Sequence, residues 1–336
     1  GARIAGELAA LQDDVDPIPF ERMEAIITEE LGAPLEEIFT TFEKQPVGAA
    51  SLSQVYRAVT RDGHNVAVKV QRPDIDKVIE SDLSLMRSAA EWIVEHLEDS
   101  RAFDAVGIVD EFARSIRREL DFTIEARVVT QFGANFEGDD RVIIPFVYSE
   151  YSSLRVLTME WIDGVRVDLL DAYPERRSDP QTVAVLGCQI LCKMIFDDRL
   201  FHADPHPGNI FLTSDNQIAF LDLGMAGHLE QSDVILFADL FMAIFQNDSK
   251  ACTEALLHLT TQEEPSNPEA LSHEVADFLA FEAKSIVANG QLARGLETAV
   301  QIVRRHNLEL TPRFSLLIKA LATIEVVGRK LYPKID

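Results

Sequence analysis

The densest polar run in the chain is His202-Ala203-Asp204-Pro205-His206-Pro207-Gly208-Asn209. Two prolines and a glycine in eight residues forbid a regular helix, because proline lacks an N–H and clashes with the preceding turn. An Asp, two His and an Asn are therefore held on a stiff loop. Thirteen residues after Asn209 comes Asp222-Leu223-Gly224, preceded by the strand-like run Gln217 to Leu221. Asp204 stands five residues before Asn209 and eighteen before Asp222. Phosphoryl transfer needs a carboxylate to orient the incoming nucleophile and oxygen ligands to hold Mg²⁺ beside the phosphates. Asp204 suits the first task, Asn209 and Asp222 the second. Gly224 allows an abrupt turn out of the strand. A plainer reading makes Asp204 a helix cap and the histidines turn residues. A zinc site on His202 and His206 lacks an apparent third ligand.

A second candidate is Lys69, in Val66-Ala67-Val68-Lys69. A lysine inside a valine strand is costly unless its ammonium meets a partner. A phosphate would satisfy it; so would solvent, if the strand lies at a sheet edge. The small residues Gly48, Ala49, Ala50 and Ser51 precede it in a turn-like run. They let backbone N–H groups approach phosphates without side-chain obstruction. A third group is Glu119-Leu120-Asp121-Phe122-Thr123-Ile124-Glu125. On one continuous helix Asp121 and Glu125 share a face and repel unless they meet cations, for which Lys69 and Mg²⁺ are candidates. The alternative is a solvated acidic face. A fourth is Leu157-Thr158-Met159-Glu160-Trp161-Ile162, a strand whose exit could present backbone groups to an adenine edge.

These residues need elements to position them. Phe20, Met23, Ile26, Ile27 and Leu31 predict a helix. A hairpin is predicted over residues 47–71, turning at Arg61-Asp62-Gly63-His64-Asn65, with Val66, Val68 and Val70 on one face and Ala67 and Lys69 on the other. Helices are expected over Asp74 to Glu98 and Val106 to about Val129. Strands are expected over Val142 to Val147 and Leu154 to Trp161. After Gly164 the pattern is mostly helical, except for Phe201 to Gly224. The expected class is α+β. The expected divisions are a helical extension over residues 1–45, a smaller mixed lobe over 46–160 and a larger helical lobe over 161–336.

Composition narrows the function. A chain of 336 residues suits about two domains or one two-lobed domain. Apolar content of 47% and charged content of 26% are ordinary, which excludes long disorder and a disulfide miniprotein. Asp and Glu total 56 against 31 Lys and Arg, a formal charge of −25 that repels nucleic acid. A locally basic or metal-filled cleft still admits ATP. Three cysteines, Cys188, Cys192 and Cys252, form no disulfide framework and point to a reducing compartment. The runs Val183 to Phe196 and Val234 to Phe245 are interrupted by Lys193 and Asp239, so buried helices are expected there rather than membrane spans.

The order of the motifs resembles the protein-kinase-like fold: small-residue loop, Val-Ala-Val-Lys, helix Glu, hinge-like strand, Asp-x-x-x-x-Asn, Asp-Leu-Gly. Three variants resemble the UbiB-type atypical kinases in particular. They are the Ala-Ala-Ser loop followed by Gln54-Val55-Tyr56-Arg57-Ala58, the Glu119-Leu120-Asp121 triplet with Glu125, and Ala203-Asp204-Pro205-His206-Pro207-Gly208-Asn209. The resemblance runs from Leu11-Gln12-Asp13-Asp14-Val15 to about Leu331. It implies that Lys69 pairs with Glu125 and touches the α- and β-phosphates, that Ala49, Ala50 and Ser51 replace a glycine loop, and that Glu119 and Asp121 form the family's Glu-x-Asp motif. It further implies that Asp204 is the catalytic-loop Asp, that Asn209 and Asp222 hold Mg²⁺, and that Glu160 and Ile162 offer hinge backbone to adenine behind Met159.

The implied function is an ATP- or ADP-binding kinase or ATPase serving isoprenoid-quinone (ubiquinone-type) biosynthesis or lipid homeostasis. The implied partners are a lipid or quinone precursor, a membrane surface and quinone-biosynthesis proteins, with no nucleic acid. The implied place is the bacterial cytoplasm at the inner membrane, or a mitochondrial matrix or plastid. The sequence departs from the family at the Lys-x-Gly-Gln segment, expected before Leu11, and at Gly48, where alanine is usual and glycine frees the backbone. No Ala-Pro-Glu motif follows Asp222. Two alternatives are a small-molecule phosphotransferase of the aminoglycoside or choline kinase kind, whose His-x-Asp-x-His-x-x-Asn loop also matches His202 to Asn209, and a nucleotide-binding pseudokinase scaffold.

Overall fold

The computed structural model describes residues 16–96, 105–261, 265, 267–283, 286 and 292–334. The Leu11 to Val15 motif lies outside them. The chain divides into two compact units, one running to Ala134 and including Pro145–Ile162, the other made of Asn135–Ile144 and the chain from Asp163.

The first unit opens with α1 (Phe20–Leu31), which buries Met23, Ile26 and Ile27. It stops at Gly32, whose φ of 72° is the left-handed conformation that glycine adopts freely. The short helix α2 (Leu35–Ile38) leads into a five-stranded antiparallel sheet. Its strands are β1 (Phe39–Phe42), β2 (Gly48–Ala49), β3 (Ser53–Thr60), β4 (Asn65–Gln71) and, later in the chain, β6 (Val156–Glu160). β3 and β4 pair from Ser53↔Gln71 to Val59↔Asn65, as the hairpin reading expects. The valine face of β4 is fully buried, against Tyr56, Ala58, Val156 and the apolar stripe of α1. The described part of the expected 1–45 extension therefore shares the core of this sheet.

Helices α3 (Ile75–His96), α4 (Ala105–Glu119) and α5 (Phe122–Asn135) follow β4. The expected single helix from Val106 to Val129 is two. The break lies at Leu120-Asp121, and the sheet causes it. The Gln71 side chain donates to the carbonyls of Leu120 and Leu154, and Phe122 N–H donates to Leu154 at 3.1 Å. These bonds bind the break to the start of β6. The Asp121 carboxylate then accepts Thr123 N–H at 2.9 Å and Thr123 Oγ1 at 2.6 Å, capping α5. Asp121 and Glu125 are thus not stacked carboxylates on one helix: the first caps the helix that carries the second.

The second unit holds a four-stranded sheet in the order β5 (Val142–Ile143), β10 (Ile218–Phe220), β9 (Ile210–Leu212), β7 (Val165–Arg166), and a two-stranded ribbon of β8 (Leu200–His202) with β11 (Ala226–His228). The strands expected over residues 142–147 and 154–161 are shorter, and they fall in different sheets. Helices α6 (Pro180–Cys192), α7 (Gln231–Gln246), α8 (Ser249–His258), α9 (Pro268–Phe278), α10 (Leu292–Arg305) and α11 (Pro312–Leu331) complete the unit. The two apolar runs do not form fully buried helices. α7 buries Val234, Phe237, Leu240 and Ala243 but exposes Ile235, Met242 and Phe245, and α6 exposes Val185. Among the described residues no helix is long and apolar enough to cross a membrane.

Gly227 faces Phe201 across the ribbon, and a Cβ there would collide with the phenyl ring. Gly227→Ala should therefore lower stability by about 1–3 kcal/mol through overpacking. Gly48→Ala should be neutral or stabilising by up to about 1 kcal/mol, since nothing lies within 4 Å of its Cβ position. Denaturant unfolding of the two variants checks both.

Candidate active site

Lys69 points away from the valine face of β4. Its Nζ lies 2.9 Å from both carboxylate oxygens of Glu125 and 5.2 Å from the centre of the Phe122 ring. The two side chains are only 16% and 7% exposed, so the pair is largely desolvated and each charge needs the other. Glu125 sits in the first turn of α5, where the helix N-terminus favours a carboxylate. Glu119 ends α4 exposed, and Asp121 is half-buried in its capping role.

The small-residue loop is partly a strand. Gly48 and Ala49 pair with Val55 and Gln54, and Ala50 N–H closes the turn on the Ser53 carbonyl at 2.8 Å. The Ala50 amide is therefore already engaged, and the exposed tip of the loop is Ser51. Arg72, which the motif reading passed over, clamps the loop. Its Nε donates to Ala50 at 2.8 Å and its backbone N–H to Leu52 at 2.9 Å. The sequence signal was its place next to the lysine strand, opposite the loop across the hairpin. Gln54 also goes beyond its motif: fully buried, it donates to the Tyr56 hydroxyl at 2.7 Å and accepts from Ile18 N–H.

Met159 is buried in β6 opposite Ala67. Glu160 N–H donates to the Phe146 carbonyl at 2.8 Å, so of its two backbone groups only the carbonyl fits an adenine-binding role. Ile162 lies just beyond the strand, half-buried.

In the second unit, two strand pairings gather the polar loop residues. β9 and β10 pair with Ile210 opposite Phe220, and Leu221 N–H donates to Asn209 O at 3.0 Å. Asn209 and Asp222 therefore emerge at the same end of that hairpin. The β8–β11 ribbon pairs His202 with Ala226, and Ala203 N–H donates to Met225 O at 2.9 Å. That brings Asp204 back to the turn that follows Asp222. The Asn209 amide nitrogen donates to Asp204 O at 3.4 Å, which leaves its Oδ1 as the atom for a cation. Asp222 Oδ1 accepts Gly224 N–H at 3.0 Å. His206 Nδ1 accepts Gly208 N–H at 3.0 Å, and its ring packs so close that a Cβ on Gly208 would fall 2.5 Å away. Asp204 Oδ2 lies 3.3 Å from Lys319 Nζ on α11.

Among the described residues no cluster of three or more His, Cys, Asp or Glu could hold a metal. One carboxylate and one amide oxygen suit Mg²⁺, which takes few protein ligands and fills its octahedron with phosphate and water oxygens.

Residues 10–256 match the ABC1 atypical kinase-like domain. The chain belongs to that family. Residues 288–336 match the UbiB helical domain. "Probable protein kinase UbiB" of Pseudomonas aeruginosa strain PAO1 is 35% identical, over 99% of this chain and 63% of its own length. The Cellvibrio japonicus protein of that name is 34% identical, over 100% of this chain and 61% of its own. The chain thus spans about three-fifths of the curated relatives that it matches. Among solved structures, Rv3197 of Mycobacterium tuberculosis, determined as a complex with erythromycin, superposes with a TM-score of 0.73 at 21% identity, covering 98% of this chain and 82% of that one. The fold of this ABC1-family chain is kinase-like, α+β and two-lobed, as the order of motifs implied.

His202, the first residue of the His202–Asn209 run in this ABC1-family chain, is almost wholly buried, with Nδ1 3.3 Å from Met225 O. Burial pushes its imidazole below the ordinary 6.5, outweighing the Met225 contact that favours the charged form. The neutral ring therefore contributes stability that is present above pH 6.5 and lost as pH falls through the lowered folded-state value. Thermal unfolding from about pH 7.5 to 5.5 should show a steeper loss in the wild type than in His202→Gln.

Proposed function

We propose that the chain is a Mg²⁺-dependent, ATP-binding atypical kinase or ATPase that supports isoprenoid-quinone biosynthesis or lipid homeostasis. The observation that carries this reading is the gathering of Asp204, Asn209 and Asp222 by two strand pairings. In the first unit, Lys69, held by Glu125, neutralises α- and β-phosphate oxygens. The Ala49-Ala50-Ser51 loop under Arg72 lies along the phosphates, while the Glu160 carbonyl and Ile162 amide take the adenine edge behind Met159. Glu119 and Asp121 act on this site through the family's Glu-x-Asp motif, Asp121 by fixing the start of the Glu125 helix.

In the second unit, Asp204 orients the acceptor oxygen and takes its proton as the new bond to the γ-phosphorus forms. The bond from that phosphorus to the bridging oxygen breaks, and ADP leaves with the electron pair. Mg²⁺, when bound by Asn209 Oδ1 and the Asp222 carboxylate, supplies charge neutralisation for the leaving phosphates.

The acceptor is a lipid, a quinone precursor or water. The formal −25 charge argues for a partner other than nucleic acid. All three cysteines are free thiols, which suits a reducing compartment. Exposed Ile235, Met242 and Phe245 on α7 suit peripheral contact with a membrane surface. The place proposed is the inner face of a bacterial membrane.

Thermal unfolding with and without Mg²⁺ and ATP or ADP tests the site. A ligand at 100 times its Kd adds about 2.7 kcal/mol to stability. The gain should require Mg²⁺ and disappear in Asp222→Asn; an equal gain in that variant refutes the metal assignment. Lys69→Ala should weaken nucleotide binding by about 1–3 kcal/mol, read by titration calorimetry.

A further inference from the structure

We infer that Lys319, on the last helix of the chain, is a positioning residue for Asp204: its ammonium holds one carboxylate oxygen so that the other faces the acceptor. The inference rests on the proposed role of Asp204 and adds a residue from a different part of the chain. Asp204 lies in the segment matching the ABC1 domain, Lys319 in the segment matching the UbiB helical domain. The helical segment thus contributes a charge to the catalytic loop, in addition to its packing.

Three observations carry this. Lys319 Nζ pairs with the Asp204 carboxylate, its nearest approach being to Oδ2 at 3.3 Å. A carboxylate with one oxygen held by a cation has its other oxygen, Oδ1, left to accept the proton of the acceptor hydroxyl or water. Second, the backbone around Asp204 is already fixed without Lys319. His206 N–H and the Asn209 side chain both bond to Asp204 O, at 2.8 and 3.4 Å, yet neither touches the carboxylate. The rotation of the side chain is the freedom left to restrict. A terminal carboxylate torsion is broad and two-fold, so a directed charge has something to decide.

Third, α11 does not need the Lys319 pair to hold its place. Phe314, Leu317, Ala320 and Leu321 bury its inner face. Near its start, Arg313 Nη1 bonds Glu230 at 2.9 Å and Asp233 at 2.8 Å. Near its end, Lys330 Nζ bonds Asp168 at 2.8 Å. Lys319 itself is half exposed, and exposed ion pairs add little to stability. The pair therefore has more to do for the orientation of Asp204 than for folding.

The test uses the full chain and four variants: Lys319→Met, Lys319→Arg, Asp204→Asn and the double Lys319→Met/Asp204→Asn. Single-turnover hydrolysis of Mg-ATP gives the rate, calorimetry gives the nucleotide Kd, and thermal unfolding reports the fold. Lys319→Met should lower the rate roughly 10- to 100-fold, the scale for a misplaced reacting group, with an unchanged Kd and Tm. Lys319→Arg should recover most of it. In the Asp204→Asn background, removing Lys319 should cost nothing further.

A Lys319→Met enzyme with full turnover overturns the inference. So do losses that multiply in the double variant, or a weakened Kd with an unchanged rate, which would make Lys319 a phosphate ligand. If Lys319→Met unfolds, Lys319→Gln takes its place, and loss of fold in both overturns the positioning role in favour of a structural one. Failure of the underlying reading looks different. A wild type without Mg-ATP turnover, or an Asp204→Asn variant as fast as wild type, removes the role of Asp204 and the inference with it.

Discussion

An ammonium inside a valine strand is the constraint on which the first unit depends. Removing Lys69 from water costs free energy that an opposing charge at hydrogen-bond distance must offset. Glu125 supplies that charge, but only because α5 starts where it does. The start is set by the Asp121 cap and by Gln71, two residues beyond Lys69 on β4, whose amide donates to the Leu120 carbonyl at the break and to the Leu154 carbonyl just ahead of β6. The strand that carries the lysine therefore also places the helix that satisfies it. On the opposite face, the three valines are sealed by α1. β4 is fixed from both faces, and the ion pair has little freedom to drift.

The second unit solves a different problem. Its polar residues lie on loops, which lack the rigidity of helices and strands. Short strand pairs supply that rigidity. β9 and β10 have three residues each, as do β8 and β11, yet each pair brings loop residues that are distant in sequence to a common end. The geometry leaves no room in two places. Gly227 admits the Phe201 ring and Gly208 admits the His206 ring, so both glycines are demanded by close approach rather than by an unusual backbone angle. His202 anchors the start of the run as a buried ring edge-on to Phe220. The last helix, tied down through Arg313 and Lys330, adds charge to this framework at Lys319.

By itself, the sequence determined the inventory and order of the chemistry. The Val-Ala-Val-Lys strand, the Asp-x-x-x-x-Asn loop and Asp-Leu-Gly are local patterns, set by period-two alternation and by proline and glycine stiffness. The hairpin over residues 47–71 was legible because its signals are likewise local. So was the kinase-like class, because the order of motifs survives whatever lies between them.

Only the tertiary structure decided which groups meet. The break at Leu120-Asp121 carries no proline or glycine, so helical periodicity runs straight through it; the Gln71 bonds that cause it come from 49 residues away. The engagement of the Glu160 amide depends on the Phe146 carbonyl, on a separate segment of the chain. The half-exposed faces of α6 and α7 read as buried because composition counts apolar residues without saying what covers them. Lys319 was one of nine lysines in the chain, on a helical stretch 115 residues from Asp204. Propensity and periodicity act over a few residues, whereas hydrogen bonds and charge pairs form wherever the folded backbone brings two groups within about 3 Å.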